Sequence, residues 1–505
     1  MSGSTTTLPP PAPSPRLTPL ILILGATGTG KSALALSLAR TLNGEILNAD
    51  AMQMYRGLPV ITNKLRPAEQ QGIPHHLLDA IGPAETPWTV RRYVREADRV
   101  IDEVRGRGKV PIVVGGTGYY MHALVVRDGM LRDEDEAESE EGEERALESS
   151  SLGNDMGSVE EGIKRWPILG ASPEEMYEEL KRLDPEMARS WHPKDWRRVQ
   201  RSLEICLRTG RRVSDIYREQ ALEREKVSSN GQVIDGGAGQ GLEARGGESL
   251  LRYDPLVLWL AAEDSALKQR LNSRVGEMVT NGLFEEALEL QQEEKKLGTE
   301  GTDIDKSKGI WVSIGYKEME SWAAEQLSKP QPLEDAKVSR LAQDALESVK
   351  AGTRRYAKRQ ERYIRMSFAK SLKQAGVSDR LLLLDGTDLS RFHSHLVPQA
   401  EGIARAFLHA KDLPEPSSLS DLAKQMFSKV RDESPQRSLR VRRHCEVCDR
   451  FLMTDKEWET HIASNSHKKV LQGRRKHQAK LEYLQRTESL EHQEELPIHK
   501  VDVPS

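Results

Sequence analysis

The sequence predicts an α/β fold: a parallel-sheet core interrupted by a helical insertion, with a small ββα module near the end of the chain. Three observations predict it. Residues 21–32 read ILILGATGTGKS, an apolar run followed by Gly25-x4-Gly30-Lys31-Ser32 and then the helix-forming ALALSLARTL. Short apolar strands alternate with helical stretches over 20–125, and strand-like runs return at 256–260 (LVLWL) and 381–385 (LLLLD). That alternation is the signature of a sheet covered by helices. Finally, Cys445-x2-Cys448-x12-His461-x5-His467 closes a compact terminal unit.

A buried strand, a Gly-rich turn and a helix in this order form a phosphate-binding loop of the P-loop NTPase-like kind. Gly25, Gly28 and Gly30 let the backbone turn tightly, so the N–H groups of 25–32, including Ala26, Thr27 and Thr29, approach phosphate oxygens. The helix start near Lys31 adds its positive dipole end. Lys31 supplies a point charge, and the Ser32 hydroxyl is placed to ligate Mg²⁺. The bland alternative is a Gly-rich strand–helix turn with no ligand. Hydrolases and kinases built on this loop usually carry an acid at the end of a second buried strand. Here the best second strand, 110–114, ends in Gly115-Gly116-Thr117-Gly118 with no carboxylate, and Asp50 instead follows the short strand 45–48. That rearrangement argues against an ordinary kinase or ATPase.

The remaining segments follow from composition. Residues 1–19 are rich in Pro, Ser and Thr and are expected to form a disordered tail; they lack the apolar stretch of a secretory signal and the several arginines of a mitochondrial leader. The first part of the core is expected over 20–127. An acidic insertion at 128–166 and a Gly-rich loop at 226–250 contain too few apolar residues to offset the cost of ordering. Between them, 167–225 forms the helical insertion, with starts at Ser172-Pro173-Glu174-Glu175 and at His192-Pro193-Lys194-Asp195. The core returns over 251–410, with a long helix from about Ser265 and another from about Ala336 to Lys373. Residues 411–439 read as a polar linker, 440–477 as the terminal module and 478–505 as a polar tail. No apolar run approaches 18 residues, so no membrane-spanning segment is expected. Three cysteines, two of them in the terminal motif, rule out a disulfide framework and suit a reducing compartment.

Two clusters point to nucleic acid despite a net charge of −4. Residues 350–370 place Lys350, Arg354, Lys358, Arg362 and Arg365 at helical spacing, with Arg355 and Arg359 alongside and Glu361 as the only acid. A solvated helix face is normally mixed in sign, whereas a stripe this basic suits a phosphate backbone. Tyr356 and Tyr363 either pack inward or stack on bases. The terminal Cys445, Cys448, His461 and His467 have the spacing of a tetrahedral zinc site. Phe451 and Trp458 are available as its core, and Arg443, Lys468, Lys469, Arg474 and Arg475 flank it. Its five-residue His–His spacing resembles RNA-binding fingers; contact with protein is the plainer alternative.

Seven blocks occur in order: GATGTGKS, NADAMQMYRGLPVITNK, PHHLLD, VGGTGYY, DPEMARSWHPKDWRRVQRSLE, SIGYKE and GTRRYAKRQERYIR. Together, from about Leu20 to Phe368, they resemble the tRNA dimethylallyltransferases (tRNA isopentenyltransferases), and the finger resembles the one appended to eukaryotic members. The resemblance implies transfer of a dimethylallyl group from dimethylallyl diphosphate to the exocyclic N6 amine of the adenine 3′-adjacent to the anticodon in tRNA, with release of diphosphate. The loop would then hold the diphosphate of an isoprenoid, which accounts for the missing second-strand acid. It further implies Asp50 as general base facing the amine, and Thr27, Lys31, Ser32 through Mg²⁺, Thr117 and Arg274 as groups stabilising the departing diphosphate. The tRNA-contacting positions it implies are Asp50, Ala51, Met52 and Gln53; Arg197, Arg198, Gln200 and Arg201; and Lys358, Arg359 and Gln360. Two positions depart from the family pattern: Ala51 lacks the hydroxyl usual beside the aspartate, and Tyr363 stands where Trp is frequent. Competing readings are an adenylate isopentenyltransferase making a cytokinin, a P-loop small-molecule kinase, and a non-catalytic zinc-finger RNA-binding protein. A monomer in the cytoplasm, with mitochondrial or nuclear pools also compatible, is the remaining expectation.

Overall fold

A computed structural model describes residues 17–127, 163–219, 250–432 and 443–475, with breaks at 192, 194, 302, 303, 307, 331, 338, 449, 453, 454, 465 and 466. Residues 1–16 of the expected N-terminal tail, the C-terminal tail and most of the two low-complexity insertions lie outside the described residues, and Pro19, expected to end the tail, begins the first strand. The chain divides into two compact units, Met1–Met156 with Arg224–Ser434, and Gly157–Glu223 with Pro435–Ser505.

The first unit holds a six-stranded parallel sheet. Its strands are β1 (Pro19–Gly25), β2 (Gly44–Asn48), β3 (His75–His76), β4 (Val110–Val114), β5 (Asp254–Ala261) and β6 (Leu381–Asp385), in the order β3-β2-β4-β1-β5-β6. The continuous apolar runs of β1, β5 and β6 are what a sheet buried on both faces requires. Alternation along each strand assigns the faces. Leu20, Leu22 and Leu24, with Val257, Trp259, Leu381 and Leu383, point into one layer, covered by α2 (Val90–Gly106) and α3 (Gly118–Val125). Ile21 and Ile23, with Leu256, Leu258, Leu382 and Leu384, point into the other. That layer is covered by α1 (Lys31–Thr41) and, later in the chain, by Val397–Leu408.

Helices α4 (Asp264–Thr280), α5 (Leu283–Thr299), α6 (Tyr316–Ser328) and α7 (Arg340–Tyr363) follow β5. The Ser339 hydroxyl caps α7 by accepting from Ala342 N at 3.2 Å. The long helix expected from Ala336 therefore starts at Arg340, after a separate short helix at Leu333–Lys337. At its other end it widens to a π-turn over Ile364–Phe368 before continuing as Ala369–Gln374.

One expectation fails clearly. The described part of the expected linker, 411–432, is not one: Asp421–Asp432 is a helix with Ala423 and Met426 buried in the first layer and Phe427 edge-on to Trp259 at 6.2 Å. Its apolar stripe, Leu422, Ala423, Met426, Phe427 and Val430, has helical spacing but is hidden among charged residues.

In the second unit, the expected start at Ser172 is a full capping box, with Ser172 Oγ accepting from Glu175 N at 3.3 Å and Glu175 accepting from Ser172 N at 3.0 Å. Buried Asp184 accepts from Met187 N, Ser214 N and the Ser214 hydroxyl, which joins two helix starts through one carboxylate. The helix Trp196–Thr209 begins after its Asp195 cap and ends at Gly210, whose φ of 66° is the left-handed cap glycine favours. The terminal module is an antiparallel pair, Arg443–Cys445 with Arg450–Leu452, followed by the helix Asp455–Ala463. No helix among the described residues is long and apolar enough to cross a membrane.

Candidate active site

The β1 carboxyl end opens into the glycine-rich loop 25–32, where Gly28 and Gly30 hold φ values of 80° and 96°. These left-handed conformations turn the backbone toward an open cleft of about 930 Å³. Lys31 begins α1 and crosses the loop, its Nζ donating to Ala26 O at 2.8 Å. Thr29 Oγ1 donates to the same carbonyl at 2.8 Å, which fixes the loop from inside. Ser32, one residue on, also lines the cleft. Burial pushes the Lys31 ammonium down to about 8; nearby Asp50 resists that shift and Arg274 adds to it.

Asp50 follows β2, on the far side of β4 from the loop's strand. Its position is set by Asn48, whose Oδ1 accepts from Asp50 N at 2.9 Å and whose Nδ2 donates to Asp50 O at 3.0 Å. Asp50 Oδ1 accepts from Met52 N at 3.1 Å, leaving its second oxygen free of that bond. Burial raises the Asp50 carboxyl above the ordinary aspartate range, opposed by the charge of Lys31, the Met52 N–H and the charge of Arg274. The group is therefore a better base than a surface aspartate. Thr117, in the loop after β4, accepts from Ala51 N at 3.0 Å through Oγ1, while its own N donates to Ala49 O at 3.1 Å. Thr117 thus ties the two loops together. Arg274, on α4, donates through Nη1 to Thr27 Oγ1 at 2.9 Å.

The arrangement brings most of the expected residues to one place. Thr27, Lys31, Ser32, Asp50, Met52, Gln53 and Arg274 all line the same cleft. A cation pair faces a carboxylate of raised proton affinity, with loop N–H groups alongside. Such a site can hold an anionic leaving group at one end and remove a proton at the other.

Other expected residues are spent differently. Gln360 is buried at the cleft wall, with Oε1 accepting from Thr27 N at 2.8 Å and Nε2 donating to Gly116 O at 2.9 Å, so both ends of its amide are engaged within the protein. Lys358 on the same helix is exposed, and Arg359 lies over the Tyr356 ring at 5.8 Å. Tyr363 packs inward, its hydroxyl 2.8 Å from His122 Nδ1, and its ring leaves no room for a side chain at Gly118. In the second unit Gln200 donates to Leu169 O at 2.6 Å, and Arg201 pairs with Glu204 at 2.8 Å, so both serve the helical insertion itself. Arg198 stacks on Trp191 at 4.9 Å and pairs with Asp195. The Arg197 side chain lies outside the described residues.

Sequence reasoning missed Asn48 and Glu286. Glu286 on α5 is buried, and its two oxygens accept from Val60 N and Ile61 N at 2.8 Å each, holding the loop that carries Ile61, Thr62 and Asn63 to the cleft. An Asn at a strand end, whose side chain can bond the backbone N–H two residues on, is a turn signal that could have flagged the first; FEEALEL carries no signal for the second.

The ligand atoms of Cys445, Cys448, His461 and His467 all lie within 4.8 Å of one another. His467 Nδ1 is 3.6 Å and 3.4 Å from the two sulfurs and 3.2 Å from His461 Nε2. A tetrahedral ion with metal–sulfur and metal–nitrogen bonds of about 2.3 and 2.05 Å would set these edges at about 3.6 and 3.3 Å. Ser464 terminates the helix after His461 and caps the next one by accepting from His467 N at 3.1 Å, which is how a five-residue spacing is accommodated. Trp458 is half-buried beneath Arg443 at 5.6 Å; the Phe451 side chain lies outside the described residues.

The sheet order, the loop after β1 and the carboxylate after β2 define a P-loop α/β core with a buried carboxylate facing its phosphate loop. The sequence model of the family described as IPP transferase matches residues 53–367, and that described as isopentenyl transferase matches 18–82. The tRNA dimethylallyltransferase of Schizosaccharomyces pombe is 33% identical over 466 residues, covering 90% of this chain and 94% of that one. That of Homo sapiens is 31% identical over 462 residues, covering 91% and 87%. A eukaryotic dimethylallyltransferase solved acting on tRNA superposes with a TM-score of 0.66 at 28% identity, over 93% of this chain and all of that one. The chain belongs to the tRNA dimethylallyltransferase family.

Proposed function

We infer that the chain transfers a dimethylallyl group from dimethylallyl diphosphate to the N6 amine of the adenine 3′-adjacent to the anticodon in tRNA. The observation that carries this reading is the convergence of Lys31, Arg274 and Asp50 on one cleft, two cations beside a buried carboxylate. The adenine nitrogen attacks C1 of the donor, the C1–O bond breaks, and diphosphate departs toward Lys31, Arg274 and the loop N–H groups. Proton loss from the amine accompanies attack, and Asp50 takes that proton. Diphosphate charge beside Lys31 offsets the cation's pull on Asp50 and further favours proton uptake there. The target base must leave the anticodon stack to reach the cleft, with Met52 and Gln53 at its rim. Mg²⁺, held by Ser32 together with diphosphate oxygens and water, would supply further charge neutralisation; one protein hydroxyl is a sufficient donor because this ion keeps several waters.

Zinc is the ion we assign to Cys445, Cys448, His461 and His467. Elemental analysis is expected to give one zinc per chain, and close to none in Cys448→Ser. Zinc at unchanged stoichiometry in that variant would contradict the assignment.

Substrate class is tested by salt. Exposed Lys358 and half-exposed Arg359 are assigned to the tRNA backbone, so the double variant Lys358→Ala, Arg359→Ala should weaken tRNA binding. It should also flatten the dependence of log affinity on log salt, by about 1 for each phosphate that is no longer neutralised. An unchanged slope would remove these residues from the interface.

A further inference from the structure

We propose that Gln360 is a positioning residue that holds the phosphate-binding loop and the loop after β4 in register, and so sets affinity for the prenyl donor instead of for tRNA. This inference rests on the transferase reading of the cleft.

The two loops come from strands that are neighbours in the sheet, β1 and β4. Both are glycine-rich at this point, and the internal bonds of Thr29 and Lys31 to Ala26 O hold the first loop to itself without tying it to the second. The Gln360 amide spans them: Oε1 accepts from Thr27 N at 2.8 Å and Nε2 donates to Gly116 O at 2.9 Å. This is the one amide orientation that satisfies both backbone groups. The fit is close. A Cβ at Gly116 would stand 2.3 Å from Gln360 Nε2 and 3.1 Å from Asp50 Oδ2, so the clamp, the glycine and the base are packed against one another. Thr27, held from one side by Gln360, is held from the other by Arg274 at its hydroxyl. The Lys-Arg-Gln run at 358–360 therefore divides its work: Lys358 faces out, whereas Gln360 is 7% exposed and faces the loops.

The test compares full-length Gln360→Leu, Gln360→Glu and wild type in transfer assays, with binding of inorganic pyrophosphate and of tRNA measured separately. Leu removes both bonds. Glu keeps the acceptor for Thr27 N and sets a carboxylate oxygen against Gly116 O. We expect the KM for dimethylallyl diphosphate and the Kd for pyrophosphate to rise at least tenfold in Gln360→Leu and by an intermediate factor in Gln360→Glu. The Kd for tRNA should stay within twofold in both. Thermal melting identifies a variant that fails to fold; the other variant and its pyrophosphate Kd then decide. Loss of tRNA affinity with an unchanged donor KM would overturn the proposal and return Gln360 to the RNA interface, as would wild-type behaviour in both variants. Absence of any transfer by the wild-type chain, with pyrophosphate still bound Gln360-dependently, would instead overturn the transferase reading and leave the clamp standing.

Discussion

Asp50→Asn is expected to abolish prenyl transfer while leaving tRNA binding within a few fold. The substitution is close to isosteric. An Asn oxygen can still accept from Met52 N, and the backbone bonds to Asn48 are untouched, so the loop keeps its shape. What disappears is the proton acceptor. Positioned general bases contribute roughly 10²- to 10⁴-fold, and kcat should fall at the upper end of that range, which leaves no transfer above background. The pH profile offers a second check. Burial raises the Asp50 carboxyl above its ordinary range, so wild-type activity should fall on the acid side as that carboxylate is protonated. Near-normal turnover by the Asn variant would show that another group removes the proton.

Lys31→Met should lower kcat/KM for dimethylallyl diphosphate by about 10- to 10²-fold, the loss expected when a charge-assisted contact worth about 1.5–3 kcal/mol is removed. The sign of its pH dependence follows from burial. Lys31 is held down to about 8, so in the free protein it loses its charge as pH rises through that value. Anion binding needs the ammonium. Wild-type affinity for the donor should therefore decline above pH about 8, by at most about tenfold per pH unit for one proton, and binding there should take up a proton. In Lys31→Met that alkaline limb should vanish. If it persisted unchanged, a different cation would govern it.

The parts of this molecule that are legible in the sequence are those whose physics is local. A strand, a glycine-rich turn and a helix are contiguous from Leu20 to Thr41, and the four candidate metal ligands lie within 445–467. Asp50 stands out because it ends a short strand where the usual second-strand acid is missing. The illegible parts depend on residues far apart in the chain. Gln360 meets Thr27 across 333 positions, and Glu286 meets Val60 across 226. On its own helix Glu286 reads as an ordinary surface residue and Gln360 as part of an outward basic run, and only tertiary packing turns them inward. The helix Asp421–Asp432 is hidden for a different reason: its charged residues dominate the composition, while five apolar positions at helical spacing decide its burial. The basic stripe on α7 is legible as a stripe but not as two-faced. Arg354 donates to Asn272 at 2.6 Å and Lys350 pairs with Glu347, so part of that charge is already engaged within the protein.

The most direct measurement is transfer of label from dimethylallyl diphosphate by the purified full-length chain with Mg²⁺, offered unmodified tRNA beside free AMP and ATP. We expect label in tRNA alone, on the adenine 3′-adjacent to the anticodon, and none in the Asp50→Asn variant. Label in free nucleotide, or phosphorylation with no prenyl transfer, would contradict the assignment.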